Sequence, residues 1–174
     1  MRTSINFDQL VELATRPKGI VMAGMLNGDN LAFLENFVLA LSDSVWQLGD
    51  ESDHAWEEYH VPSDRLPQIL SCLPDFEELW TRSSARVAWI NRFRQSQWIG
   101  SHKDASGDLQ LIIGIKIPTL NSGGQLWLAN QSQLVPFGTG DAFLFNAASI
   151  VHGTTAPLHV QAERLTLNVR LWFN

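Results

Sequence analysis

Cysteine is almost absent from this sequence. Cys72 is the only one in 174 residues, so the chain cannot form an internal disulfide, and nothing in it indicates an oxidising compartment. We expect Cys72 to be a core residue. The N-terminal segment lacks the apolar stretch of a signal peptide, and no apolar run is long enough to cross a bilayer. These absences predict a cytoplasmic protein without a membrane segment.

Basic clusters are missing as well. The chain has 12 Lys and Arg against 18 Asp and Glu, for a formal net charge of −6, and it contains no run of basic residues. A surface that neutralises phosphates needs the opposite balance, so the composition argues against a nucleic-acid partner. It leaves the oligomeric state open. Repeats and domain linkers are absent too, and we predict one domain over residues 1–174.

The first half of the chain carries helical patterns. Apolar residues spaced three and four apart between Leu31 and Leu48 predict one long helix. We place its N-terminal cap at Asp29 or Asn30 and its end near Gly49. Shorter helices are predicted over residues 5–15, after Ser63 and after Pro74.

The second half changes to a period of two from Arg86 onward. Alternating apolar residues between turns predict strands with the sequences RVAWINRF, LQLIIGIKI, GGQLWLA, DAFLFN and RLTLNVRLWF. Helices followed by strands indicate an α+β chain that is mainly β. We predict a double-stranded β-helix, or jelly roll. Residues 86–174 would form its core with the metal site, and residues 1–85 would supply helices that pack on the larger sheet.

The segment WIGSHKD contains a candidate metal-binding pair. If it forms a strand, His102 and Asp104 share one face, and Lys103 points to the other. One further histidine would complete a set of two imidazoles and one carboxylate. That set leaves three positions open on an octahedral ion and is diagnostic of non-haem Fe(II) oxygenases. His152 and His159 are the candidates for the third ligand.

The last predicted strand has a polar face. Arg164, Thr166, Asn168 and Arg170 alternate with apolar residues and therefore share one side. On a surface strand this side would be solvated, whereas in a barrel whose apolar side packs on helices it would line the cavity. An arginine there offers a planar fork that binds a carboxylate through two parallel hydrogen bonds.

The order of His-x-Asp, histidine and arginine resembles the Fe(II)/2-oxoglutarate-dependent dioxygenases, over about half of the chain. The resemblance implies that His102, Asp104 and His152 hold Fe(II). His152 is preferred to His159 because its flanking sequence is similar to the family's penultimate strands. It also implies that Arg164, with Thr166 as a hydroxyl partner, binds the distal carboxylate of 2-oxoglutarate. The co-substrates would be 2-oxoglutarate and O₂, and the by-products succinate and CO₂.

The segment INRFRQSQWIGSHKD extends this resemblance. It is similar to the segment that precedes the His-x-Asp in AlkB-like nucleic-acid demethylases and, more loosely, in prolyl-4-hydroxylase-like enzymes. Asn91 stands eleven residues before His102, which implies a contact with the co-substrate. Phe93 stands where these enzymes have a tyrosine, and the chain before Arg86 offers little for a nucleotide-recognition lid. Both differences argue against a nucleic-acid substrate.

The expected function is hydroxylation of an unactivated C–H bond in a small molecule, such as an amino acid or a specialised metabolite, with Arg170 and Trp98 as substrate contacts. Peptidyl hydroxylation of the prolyl type and AlkB-like demethylation are alternatives in the same class. A cupin-like metal-binding isomerase or a non-catalytic module is the alternative from another class. The sequence leaves open whether Lys116, Arg94 and Trp127 belong to the cavity, its rim or the core.

Overall fold

The computed structural model describes residues 6–49, 55–129 and 132–174. Within them the α-helices are α1 (Phe7–Thr15), α2 (Gly28–Leu39), α3 (Leu66–Ser71) and α4 (Glu77–Arg82), and 3-10 helices cover Asp43–Val45, Pro74–Phe76 and Leu120–Ser122. The strands are β1 (Ile20–Met22), β2 (Gln47–Leu48), β3 (Glu57–His60), β4 (Ala85–Phe93), β5 (Leu109–Lys116), β6 (Leu126–Leu128), β7 (Gln133–Leu134), β8 (Ala142–Phe145), β9 (His152–Thr154) and β10 (Arg164–Trp172). No helix in these ranges is long and apolar enough to cross a membrane.

Two antiparallel sheets form the body of the fold. The larger has seven strands in the order β1-β8-β5-β10-β4-β3-β2, and the smaller has three in the order β7-β6-β9. Strand β10 lies at the centre of the larger sheet, between β5 and β4. Apolar side chains of both sheets, among them Ile112, Leu126 and Phe143, pack together in one cluster. This is the predicted double-stranded β-helix.

The opposite face of the larger sheet carries the helices. Because successive residues of a strand point to opposite sides, Leu165, Leu167, Val169 and Leu171 of β10 enter the main core together with helix residues such as Leu34. The polar residues of the same strand face the other way. The helices pack on the larger sheet as predicted, and the first half of the chain also contributes β1, β2 and β3 to that sheet.

Helix α2 is shorter than its apolar pattern predicted. Its N-cap is Asn27, whose Oδ1 accepts a hydrogen bond from the Asn30 amide at 2.8 Å, so the predicted caps at Asp29 and Asn30 are wrong. It ends at Leu39, well before the predicted end. Leu48 is 69% exposed and belongs to β2, which pairs with β3. The apolar spacing therefore continues past the helix without marking a buried stripe.

Candidate metal centre and cavity

The candidate metal ligands meet across a single β-bridge. His102 and His152 exchange backbone hydrogen bonds of 3.1 and 3.0 Å, and the Asp104 amide donates to the Ala147 carbonyl at 3.0 Å. The chain around His102 is otherwise irregular, so the predicted strand is wrong. The His102 segment lies against β9, which spans only three residues and is too short to pair with a full strand there. The alternation still holds locally, because the Lys103 side chain is exposed between two more buried neighbours.

His102, Asp104 and His152 bring their ligand atoms within 4.8 Å of one another. Each imidazole is held at its Nδ1, which lies 2.9 Å from the carbonyl oxygen of Gly100 for His102 and of Ile150 for His152. A ring that donates through Nδ1 keeps a lone pair on Nε2, which is the form that binds a metal. The triad thus offers two nitrogens and one carboxylate, a donor set suited to Fe(II).

Burial and charge hold the triad in its metal-binding protonation state. Burial, reinforced by the neighbouring His102, lowers the pKa of His152 from 6.5 to about 4. Burial alone would raise the pKa of Asp104, but the adjacent His102 and the positive charge of Arg170 outweigh it, and the pKa is lowered. At neutral pH His152 is therefore uncharged and Asp104 is ionised.

The absence of a side chain at Gly153 lets these segments approach each other. A Cβ added there would lie 2.4 Å from the Trp127 ring and 2.7 and 2.8 Å from the carbonyl oxygens of Gly100 and Ile99. Beside it, the Thr154 amide donates to the Ile99 carbonyl at 3.0 Å, and the Ile99 amide donates to the Thr154 hydroxyl at 3.0 Å. The geometry of the metal ligands therefore depends on glycine at this position.

The triad lines a cavity of about 460 Å³ that also contains Arg164. Arg164 is 2% exposed, and its guanidinium lies 5.0 Å from the centre of the Phe93 ring. Its Nε and the Oδ1 of Asn91 are buried without hydrogen-bond partners, and no carboxylate in the described ranges pairs with Arg164. Burial lowers the pKa of Arg164 to about 9, which leaves it charged at neutral pH. Because a buried unpaired charge is costly, this part of the cavity suits an anion.

Arg170 lies beside the triad. Its guanidinium donates to Asp104 and, at 3.0 Å, to Oε1 of Gln110, and it lies 4.9 Å from the centre of the Trp89 ring. Gly107 makes room for its stem, since an added Cβ there would come 2.7 Å from the arginine side chain. The sequence predicted a substrate contact for Arg170; in the structure Arg170 lines the cavity and has Asp104 and Gln110 as partners within the protein.

Three other predicted or rival site residues lie back from the cavity, and the described lining includes none of them. Thr166 is fully buried, with its Oγ1 3.3 Å from the Asn168 amide nitrogen. Trp98 is half-buried in the irregular segment before the bridge. His159, the rival third ligand, is exposed in the turn before β10, and the clustered histidine is His152, as preferred.

The residues whose roles the sequence left open also lie outside the described lining. Lys116 is exposed and pairs with Glu163 at 3.2 Å. Arg94 is exposed and pairs with Asp43 at 3.5 Å. Trp127 is 1% exposed. Lys116 and Arg94 are therefore surface residues, and Trp127 is a core residue.

Two cross-strand pairs of β3 and β4 supply cavity residues, of which the sequence singled out only Asn91. The register pairs Glu58 with Asn91 and His60 with Trp89, and all four line the cavity together with Trp56. A signal was present on β4, where Trp89 and Asn91 alternate with core residues. This pattern indicates a cavity wall only once the pairing of β3 with β4 is known.

Solved structures share this fold. A prolyl-4-hydroxylase from Pseudomonas putida matches with a TM-score of 0.74 and 12% identity, over 95% of this chain and 97% of that one. A prolyl hydroxylase from Trichoplax adhaerens, solved with a hypoxia inducible factor peptide fragment, matches with a TM-score of 0.76 and 15% identity, over 95% of this chain and 88% of that one. The epimerase SnoN, solved with Fe³⁺, α-ketoglutarate and nogalamycin RO, matches with a TM-score of 0.67 and 14% identity, over 95% of this chain and 83% of that one. No protein-family model and no curated protein matches the sequence. At these identities the likeness establishes the fold.

Proposed function

We propose that this protein is an Fe(II)- and 2-oxoglutarate-dependent oxygenase that hydroxylates an unactivated C–H bond of a small molecule. One observation carries the proposal: a single cavity contains both a two-histidine, one-carboxylate set and a buried arginine without a carboxylate partner. The first suits Fe(II), and the second suits an anionic co-substrate. The likeness in fold to SnoN, which was solved with iron and α-ketoglutarate, supports the same assignment.

The residues of the triad fit an iron ion. His102 and His152 would bind it through Nε2, because their Nδ1 atoms are engaged with backbone carbonyls. Asp104 would bind it as an ionised carboxylate that Arg170 holds in place. Three protein ligands leave the other positions of an octahedral ion open for co-substrates. When bound, the ion would supply the activation of O₂, with 2-oxoglutarate as the reductant.

The polar group around Arg164 fits 2-oxoglutarate. The guanidinium is planar, its Nε has no partner, and it can bind one carboxylate through two parallel hydrogen bonds. Phe93 lies against it and restricts its orientation. Asn91, on the neighbouring strand β4, lines the same cavity and could donate to the carboxylate through its side-chain amide nitrogen. Because these groups are buried, a carboxylate bound there would be shielded from water, which strengthens the attraction between the charges.

The proposed reaction converts a substrate C–H bond, 2-oxoglutarate and O₂ into a C–OH group, succinate and CO₂. The chain binds and orients the reactants and limits access of water. Apolar side chains of Ile99, Ile112 and Leu126 line the cavity beside the polar groups. They offer a surface against which an aliphatic part of the substrate can pack.

A small molecule is the substrate class that the cavity favours. Its volume of about 460 Å³ lies in the usual range for small-molecule sites. The net charge of −6 disfavours a nucleic acid. A peptide, as in the Trichoplax adhaerens complex, is the alternative substrate within the class. A cupin-like isomerase would leave the buried Arg164 without a role.

Succinate formation tests this function. The chain is incubated in air with Fe(II) and 2-oxoglutarate, together with panels of amino acids, peptides and methylated oligonucleotides, and succinate and oxygen consumption are measured. We expect O₂-dependent succinate with the wild type and with His159→Ala, and none with His152→Ala. Iron-loaded wild type that makes no succinate with any panel would contradict the proposal.

A further inference from the structure

Two adjacent glutamates on β3 point to opposite sides of the larger sheet. Glu57 forms an ion pair with Arg92, and their side chains are 14% and 11% exposed. Glu58 points the other way and lines the cavity of the metal centre. Its register partner Asn91 belongs to the same lining. The first carboxylate is therefore neutralised within the protein, and the second faces the space where a substrate would lie.

Glu58 has a tryptophan and a histidine as its hydrogen-bonding partners, and no lysine or arginine lies beside it in the described part of the chain. Its Oε2 accepts a hydrogen bond from the Trp56 indole at 3.4 Å, and its Oε1 lies 2.9 Å from Nε2 of His60. Among the described residues, no lysine or arginine lies within ion-pair distance of it. Its side chain is 24% exposed, so the carboxylate is only partly solvated and can still be reached from the cavity.

Each of the other charged groups that line the cavity has a partner within the protein or an assigned role. Asp104 is paired with Arg170, and Arg164 is the group proposed to bind the co-substrate. Glu58 is the carboxylate that remains among the described lining residues. The cavity thus has a separate acidic position, distinct from the arginine that suits an anion.

From this arrangement we infer that Glu58 binds a cationic amino group of the substrate, with Trp56 as an aromatic wall beside it. The inference rests on the proposed function and specifies its substrate class as a small molecule that carries an ammonium group. A carboxylate and an indole face both attract such a cation. The Trp56 ring is fixed against Gly49, where an added Cβ would lie 2.1 Å from a ring carbon. The net charge of −6 favours the approach of a cation.

The arrangement also orients the substrate. An anionic group is repelled by Glu58 and attracted by Arg164, whereas an ammonium group has the opposite preference. The two co-reactants would therefore bind to different groups of one cavity without competing. The part of the substrate next to the ammonium group would lie along Trp89, which lines the same cavity and pairs in register with His60 of β3.

Binding of matched probes tests the site. The probes are 5-aminopentanamide, which is a cation, and hexanamide, its neutral isostere. Binding to the full chain is measured by ligand-observed NMR and by tryptophan fluorescence at mildly alkaline pH and low salt. We expect the cation to bind at least about fivefold more tightly than hexanamide, as for a partly buried ion pair, and to lose this advantage at high salt.

Three variants assign the preference to Glu58. Glu58→Gln keeps the shape of the side chain and should bind both probes equally. Glu58→Lys should reverse the preference, towards adipic acid monoamide, the anionic analogue. Glu35→Gln removes the same charge from the exposed side of α2 and should behave as the wild type. Thermal melting confirms that each variant is folded.

Equal binding of the two probes by the wild type would overturn the inference, as would a cation preference that survives in Glu58→Gln. Succinate formation, measured on the same preparations, separates this result from the proposed function. A cation preference without succinate would leave the site standing and reject the oxygenase. Succinate formation without a cation preference would support the oxygenase and reject the ammonium site at Glu58.

Discussion

Replacement of Gly153 by alanine should damage the metal centre without touching any metal ligand. The new Cβ would lie 2.7 Å from the Gly100 carbonyl oxygen, 2.8 Å from that of Ile99 and 2.4 Å from the Trp127 ring, whereas ordinary contacts begin near 3.4 Å. Two of these neighbours are backbone atoms, and Trp127 is 1% exposed, so none of them can move aside freely. The segment that carries His102 must therefore shift away from β9 by roughly 0.7 Å.

Two quantities should change in this variant. Overpacking of this kind costs about 1–3 kcal/mol of stability. The affinity for a divalent metal should fall by about ten- to a hundredfold, as it does when groups that orient metal ligands are lost. Isothermal titration with Mn²⁺ or Co²⁺ measures the affinity, and urea denaturation of the chelator-treated protein measures the stability.

A matched control is Gly28→Ala, at the first residue of α2, where an added Cβ would meet no atom within 4 Å. This variant should bind metal as the wild type does. Wild-type metal affinity in Gly153→Ala would show that the close approach of β9 to the His102 segment does not position the ligands.

Further predictions concern the ligands, the co-substrate and pH. Alanine at His102, Asp104 or His152 should abolish iron binding, measured by metal analysis after gel filtration, whereas His159→Ala should keep it. If His152→Ala bound iron and His159→Ala did not, the third ligand would be His159. Arg164→Ala should strongly raise the 2-oxoglutarate concentration needed for saturation without changing iron binding, because loss of one partner of a desolvated charge pair costs about 2–5 kcal/mol. Arg164→Lys should recover only part of the lost 2-oxoglutarate affinity, since lysine lacks the planar fork. An unchanged 2-oxoglutarate affinity in the alanine variant would exclude this role. The metal-free protein should lose stability as the pH falls from 6.5 towards about 4, because His152 has a lower pKa when folded than when unfolded, so that the unfolded state takes up the proton first. His152 should account for a loss on the order of 3 kcal/mol in the free energy of unfolding, which urea denaturation at a series of pH values measures. A free energy of unfolding that stays constant over this range would contradict the lowered pKa of His152.

The parts of the site that the sequence predicted are those with a local signal. His102 and Asp104 lie two residues apart in one segment, and Arg164 stands on a strand whose alternation identifies its polar face. Histidine and arginine are also chemically distinctive, so a short pattern is enough to select them. His152 needed the resemblance of its flanking sequence as well, because spacing alone did not separate it from His159.

The parts that the sequence did not predict depend on contacts between distant segments. Arg170 and Asp104 are 66 residues apart, and they meet only because of the register of β10 and the path of the segment before β5. Glu58 becomes a cavity residue through the pairing of β3 with β4, which no period in the sequence specifies. The end of α2 was missed for a related reason: apolar spacing that includes Leu48 imitates a helix, although Leu48 lies in an edge strand of the larger sheet.

The proposed function requires the triad and Arg164 together to bind one iron ion and one 2-oxoglutarate. Anaerobic titration of the Fe(II)-loaded chain with 2-oxoglutarate, followed through the weak visible charge-transfer band expected for the iron chelate, tests it most directly. We predict a saturable band in the wild type, the same band at much higher 2-oxoglutarate in Arg164→Ala, and no band in His152→Ala. A wild-type protein that binds iron and develops no band would contradict the proposed function.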